Sequence, residues 1–242
     1  MSKLFREYEG GLTPRYRFLS DKAVIVQAWK KAHEYIRRHN WYSDNLDLDL
    51  SCINLEDLYL EIQKDFTQDE GSRYRPSSMR VVPAPKACSK WNLSEGDFQS
   101  PTNFGLRPLA HLRVKDQVVS MMFLMCLANV IERRQGVPRP VEELKQLMDV
   151  VSYGNRLITD LRVKEDADDE PVEDQMADAS FLWGNSETYS RYYEDYQSFI
   201  ARSGKVLKEL QSEQVGNGRR YYIVSLDLSK FYDRIDRKVL VE

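Results

Sequence analysis

From Val118 to Ile131 the chain runs fourteen residues without a charge, and this run constrains the fold more than any other feature. Val118, Val119, Met122, Phe123, Cys126, Leu127, Val130 and Ile131 recur there at helical spacing. The pattern predicts a helix over Lys115 to Arg134 with a wide buried face. Gly136 and Pro138 follow as stop signals. The uncharged run is too short to span a bilayer, so such a helix needs protein neighbours to cover it. With 242 residues the chain can bury a real core, as one large domain or two small ones. The methionines of the run read as core filling rather than a cofactor box.

The neighbours are legible upstream. Ser20 is a candidate cap, and Asp21 suits the start, of a helix whose inward stripe is Ile25, Ala28, Trp29, Ala32, Tyr35 and Ile36. Lys30, Lys31, Arg37 and Arg38 lie mostly off that stripe and read as a solvated face. Asn40 to Asn45 reads as a polar, aromatic turn. A second helix is predicted from Asn54, with Leu55, Leu58, Ile62 and Phe66 inward. Gln68 to Ser78 is loop-like. Met79 to Val82 reads as a short strand stiffened by Pro83-Ala84-Pro85, and Leu106 to Val114 as strand plus turn. Further helices are predicted over Val141 to Val151 and from Ser186, the latter with Tyr189, Tyr193, Tyr196, Phe199 and Ile200 inward. Gly216-Asn217-Gly218 marks a turn before a last apolar strand. The irregular alternation of elements predicts an α+β fold.

The net charge of −3 hides an uneven distribution. Eight acids crowd residues 165 to 178 without a Lys or Arg, and removing them leaves +5. The block reads as a solvated loop, and the remainder is basic enough to suit a phosphate-backbone partner. Three widely spaced cysteines and three histidines give no metal-ligand spacing and read as a reduced, intracellular chain. The N-terminus has no apolar signal core. A cytoplasmic protein with no membrane association is expected.

The chemistry concentrates at the end of the sequence. Tyr222, Val224, Leu226 and Leu228 alternate with Tyr221, Ile223, Ser225 and Asp227, so one strand face packs on a core and the other presents a carboxylate. Phe231-Tyr232-Asp233 follows at once. This stretch resembles the first metal-binding motif of reverse transcriptase palms, which runs apolar strand, Asp, four residues, then an aromatic. The resemblance implies that Asp227 is the catalytic acid and binds both Mg²⁺ ions. It implies that Tyr232, beside Phe231, lies under the nucleotide sugar and excludes a 2′-hydroxyl. Metal-assisted phosphoryl transfer needs an acid held in this way.

Three further segments fall in the order of that family. Leu106-Arg107-Pro108-Leu109 with Lys115-Asp116-Gln117 resembles the fingers signature, which implies that Arg107 grips the incoming triphosphate; a planar guanidinium suits phosphate oxygens. Pro83-Ala84-Pro85-Lys86 resembles the segment carrying the fingers lysine. Lys86 and Lys90 are both candidates, with Lys86 ranked first. Gln117 stands where the family has arginine, at a position tied to the template. Ser152-Tyr153-Gly154-Asn155-Arg156 is similar to the segment between fingers and palm, placing Arg156 near template phosphate, with Gly154 permitting close approach or positive φ.

The Trp29 to Tyr42 and Phe181 to Asn185 segments look like the defence-associated "unknown group" bacterial reverse transcriptases. The expected layout is a helical extension over 1–82, fingers over 83–215 with an acidic loop near 164–178, and the start of a palm over 216–242. The implied activity is RNA-directed DNA synthesis in anti-phage defence. Its implied partners are an RNA template, a DNA or RNA primer, deoxynucleoside triphosphates and a C-terminal domain or partner subunit. The second acid pair of the family, in a Tyr-x-Asp-Asp turn, does not occur in these 242 residues. The right-hand polymerase fold and its two-metal site are therefore expected to be incomplete, and the chain inactive by itself. The alternative is a non-catalytic, polymerase-like scaffold or nucleic-acid-binding subunit. A protein-primed or untemplated polymerase is a third reading.

Overall fold

A computed structural model describes residues 8, 11–39, 44–67, 73–85, 106–136, 138, 150–162, 178–213, 221, 222, 224 and 226. Among them, a 3-10 turn at Tyr16–Ser20 leads into helix α1, Lys22–His39. The cap of α1 is Asp21 rather than Ser20. Its Oδ1 accepts from the amides of Ala23 at 2.8 Å and Val24 at 3.3 Å, and Tyr8 donates its hydroxyl to Oδ2 at 2.6 Å. The Ser20 hydroxyl donates instead to the Arg17 carbonyl.

Two short helices follow, α2 at Asn45–Ile53 and α3 at Leu55–Phe66. Helix α3 agrees with the expected stripe, with Ile62 and Phe66 buried. Helix α2 occupies residues with no expected element. Asp44 caps it by accepting from the Leu46 amide at 2.8 Å. Strands β1, Arg80–Pro85, and β2, Leu106–His111, pair antiparallel from Arg80↔His111 to Pro85↔Leu106. Pro83 faces Pro108, so both missing N–H donors fall on one rung of an open two-stranded ribbon.

Helix α4, Val114–Gln135, is the long apolar helix. Its buried residues include Val118, Val119, Met122, Met125, Cys126 and Ala128. They share one cluster with Val24, Ile25, Ala28, Ala32 and Ile36 of α1, and with Leu48, Ile62, Phe66 and Phe181. Each large side chain so buried contributes about 1.5–3 kcal/mol. The expected 1–82 and 83–215 segments thus share a core. Phe123, Leu127, Val130 and Ile131, expected inward, are exposed. The helix packs against α1 and the later strand Asp178–Phe181 on one side, and a sequence apolar all round does not say which side that is. By length and composition α4 could also cross a membrane, contrary to the shorter uncharged run considered alone. However, 56% of its most apolar window is buried inside the fold, as in a core helix.

Past α4, strands β3, Thr159–Arg162, and β4, Asp178–Phe181, form a second antiparallel ribbon that the sequence did not announce. Asp178, the last acid of the block, belongs to β4; the other seven acids lie outside the described residues. So does most of the helix expected over Val141 to Val151, and so does the turn at 216–218. Helix α5 spans Tyr192–Glu213, later than expected, because the chain before it pairs as Leu157↔Tyr189 and Ser190 N–H to Arg156 C=O at 2.8 Å. Its stripe of Tyr193, Tyr196, Phe199 and Ile200 is exposed rather than inward. The fold among the described residues is α+β.

Gly11 and Asn129 show how tightly the N-terminal segment is seated. Gly11 has φ +80°, and a Cβ there would lie 2.8 Å from the Asn129 amide nitrogen. Buried Asn129 accepts from the Phe181 amide at 2.6 Å and donates to the Leu12 carbonyl at 3.4 Å. Gly11→Ala is therefore expected to destabilise by about 1–3 kcal/mol, through strain and displacement of a buried amide. A urea-unfolding midpoint unchanged from wild type would contradict it.

Candidate functional site

The β1–β2 ribbon brings two of the sequence-predicted segments together. Ala84 faces Arg107 and Pro85 faces Leu106, so the backbone before Lys86 pairs with the backbone at Arg107. Lys86 and Lys90 themselves lie outside the described residues, as do Asp227, Phe231 and Tyr232.

What holds the ribbon is the first turn of α4. Asp116, the acid within the Lys115-Asp116-Gln117 signature, is buried. It accepts the Tyr74 hydroxyl at 2.6 Å and the Ser77 amide at 3.2 Å, strapping the loop ahead of β1 to the helix that follows β2. Burial and the adjacent Asp116 carboxylate push the Tyr74 hydroxyl well above its ordinary pKa, so it stays a donor. Asp47 of α2 accepts from the Val114 amide at 3.1 Å, capping α4 from a distant part of the chain. Lys115 bridges Glu61 at 2.6 Å and Asp65 at 2.8 Å. Burial pulls its ammonium down, but the two carboxylates outweigh this and its pKa is raised. The α2 and α3 helices thus grip the root of the ribbon. Tyr74 and Asp47 carry no local sequence signal for these roles, since both partners are remote in the chain.

The two residues expected near template are occupied within the fold. The Gln117 side-chain amide donates to the Leu112 carbonyl at 3.2 Å, bracing the turn between β2 and α4. Arg156 is only 2% exposed and Glu132 only 1%. Arg156 Nε donates to Glu132 Oε2 at 2.9 Å and Nη2 lies 2.8 Å from the same oxygen. Nη1 donates to the Ser152 and Gln135 carbonyls, at 2.8 and 3.3 Å, and Nη2 to the Gly136 carbonyl at 2.5 Å. Four N–H groups donate, two of them to orphan carbonyls at the end of α4, where a cation also meets the negative end of the helix dipole. Arg156 is thus engaged inside the fold, at the end of α4. Gly154 has open space around it and no positive φ; the left-handed residue of that segment is Asn155, at φ 53°.

Lys31, assigned by pattern to a solvated face, is completely buried. Its Nζ donates to the carbonyls of Glu187 at 2.6 Å and Leu182 at 3.4 Å, and lies 4.7 Å from the centre of the Phe181 ring. Burial lowers its pKa to about 8, against a smaller upward pull from Glu187. Of its neighbours in the pattern, Arg37 meets Asp49 at 2.6 Å and Arg38 lies 3.7 Å from Glu34 and from Glu187.

No family model, curated protein or solved structure matches this chain. The family resemblance therefore stands on the sequence motifs alone. Among the described residues, no group of three His, Cys, Asp or Glu is placed to share a metal ion. The final segment also differs from expectation. Tyr221 donates its hydroxyl to the Leu210 carbonyl at 3.3 Å, while Tyr222, Val224 and Leu226 are 79%, 74% and 87% exposed. These four residues belong to neither ribbon, so the face expected to pack on a core has no strand neighbour among the described residues.

Proposed function

We propose that this chain carries the N-terminal and fingers regions of a reverse transcriptase and the first metal-binding motif of its palm, with a role in anti-phage defence. The observation that supports it best is the pairing of Pro83-Ala84-Pro85 with Leu106-Arg107-Pro108 in one ribbon. Segments singled out separately for triphosphate contact are neighbours across a ladder, and the ribbon is anchored by buried Asp116. In this reading Arg107 and Lys86 clamp the triphosphate of an incoming deoxynucleotide. Asp227 holds magnesium, which would neutralise charge on the reacting phosphate, and Tyr232 with Phe231 checks the sugar.

The engagement of Arg156 and Gln117 by groups within the fold favours a second reading, a polymerase-like scaffold without catalysis. Titration with a fluorescent deoxynucleoside triphosphate and Mg²⁺ separates them. The polymerase reading expects binding that weakens by about tenfold or more in Arg107→Ala, the loss of one charge-assisted phosphate contact. Absence of binding by wild type favours the scaffold. In any polypeptide that carries this chain and extends a primer on RNA, Asp227→Ala should abolish product. Retained synthesis sinks the metal role.

A further inference from the structure

The chain at the root of the β1–β2 ribbon is locally basic. Over 73–85 and 106–115 every Asp, Glu, Lys or Arg is basic: Arg73, Arg75, Arg80, Arg107, Arg113 and Lys115. Lys115 is neutralised by Glu61 and Asp65. Arg73, Arg75, Arg80 and Arg113 are exposed, and none of these four meets a carboxylate among the described residues. Arg75 makes one side-chain hydrogen bond, to the neighbouring Tyr74 carbonyl at 3.0 Å.

The fold gathers them at one end. The Arg73 amide donates to the Asp65 carbonyl at 2.9 Å. Tyr74 and Ser77 tie the arginine-bearing loop to Asp116. Arg80 faces His111 across the ladder, and Arg113 is the residue on which α4 begins. The backbone that carries the four arginines is thus anchored near the first turn of α4 by contacts that use none of their own charge. Like charges held together repel one another, and a polyanion relieves that repulsion.

We infer that this arginine cluster at the ribbon root is a binding surface for the phosphate backbone of single-stranded RNA. It would take the role for which Arg156 and Gln117 were the sequence candidates; Gln117 lies at the same ribbon root, Arg156 at the other end of α4. Planar guanidiniums engage phosphate oxygens in pairs, and the spread of four along a loop, a strand and a turn suits a repeating anion more than a single one. Exposed Met79, Val81 and Val82 beside them offer apolar contact for bases. The inference rests on charge and burial and holds for a polymerase or a scaffold alike.

The test is fluorescence anisotropy of a labelled uridine oligoribonucleotide with the full chain, from about 50 to 200 mM salt. The variant R73Q/R75Q/R80Q/R113Q should lose on the order of tenfold or more in affinity, and its log–log salt slope should flatten by about 3, ~0.7 for each lost contact. The control K30Q/R191Q/K205Q/K208Q removes the same charge from exposed sites elsewhere and should leave the slope near wild type. Circular dichroism checks that both variants fold. An unchanged slope in the first variant, or an equal loss in the control, overturns the inference. So does loss of binding to phosphatidylserine vesicles with oligonucleotide binding unaffected, which would make the surface a lipid contact. Arg107 is untouched in every variant, so triphosphate titration still reports separately on the polymerase proposal.

Discussion

Glu132→Ala is expected to destabilise the protein by about 3–5 kcal/mol, the largest loss from any single substitution in the described core. Removing the carboxylate strands the Arg156 guanidinium in a site where it is 2% exposed. It also orphans the Leu157 amide, which donates to Glu132 Oε1 at 3.1 Å. Arg156→Ala should cost a comparable amount, because it bares the Glu132 carboxylate and the Gln135 and Gly136 carbonyls together. The double variant Glu132→Met/Arg156→Met removes both charges and fills similar volume. It should be much less destabilised than the two single losses added together, since a buried pair costs more to break than to replace. Urea unfolding of wild type, Glu132→Met, Arg156→Met and the double variant supplies the cycle. Additive losses would show that the two side chains do not depend on one another, and would reopen Arg156 to an external ligand.

That pair marks where the sequence was readable and where it was not. Helix α4, the core stripe of α1 and the paired ribbon at Arg107 follow from periodicity and from Pro and Gly placement, which are local properties. Helix α2 does not. Its Leu46-Asp47-Leu48-Asp49-Leu50 alternates with period two, which looks like a strand, and only Leu48 of the three leucines is buried. Its aspartates act at a distance instead, Asp47 capping α4 and Asp49 meeting Arg37. The burial of Arg156 and of Lys31 was hidden for the same physical reason. Charge predicts solvent, and only a remote acceptor justifies burial: Glu132 and helix-end carbonyls for one, loop carbonyls for the other. The α5 stripe failed in the opposite sense, since periodicity marks an apolar face without saying whether a neighbour covers it. Asp227, on which the enzymatic proposal depends, was legible as a motif and lies outside the described residues.

Lys31 should make stability depend on pH between about 8 and 10.5. The folded pKa is lowered, so between those values the unfolded chain holds a proton that the folded chain has released. Unfolding then takes up a proton, and stability rises with pH across the window. A displacement of this size corresponds to about 3 kcal/mol between the two ends. The geometry suits the neutral amine, which has two N–H groups for two carbonyls, those of Glu187 and Leu182. Below pH 8 the fold must hold a buried ammonium, helped by the Phe181 ring and by Glu187. Lys31→Met removes the proton linkage but strands both carbonyls, a loss that does not change with pH. The difference in unfolding free energy between wild type and Lys31→Met should therefore grow with pH in favour of wild type, by up to about 3 kcal/mol. Cys126, raised to about 11 by burial, titrates in both proteins and cancels in the difference. Parallel stability curves over the window would show that water reaches the ammonium and that Lys31 is solvated after all.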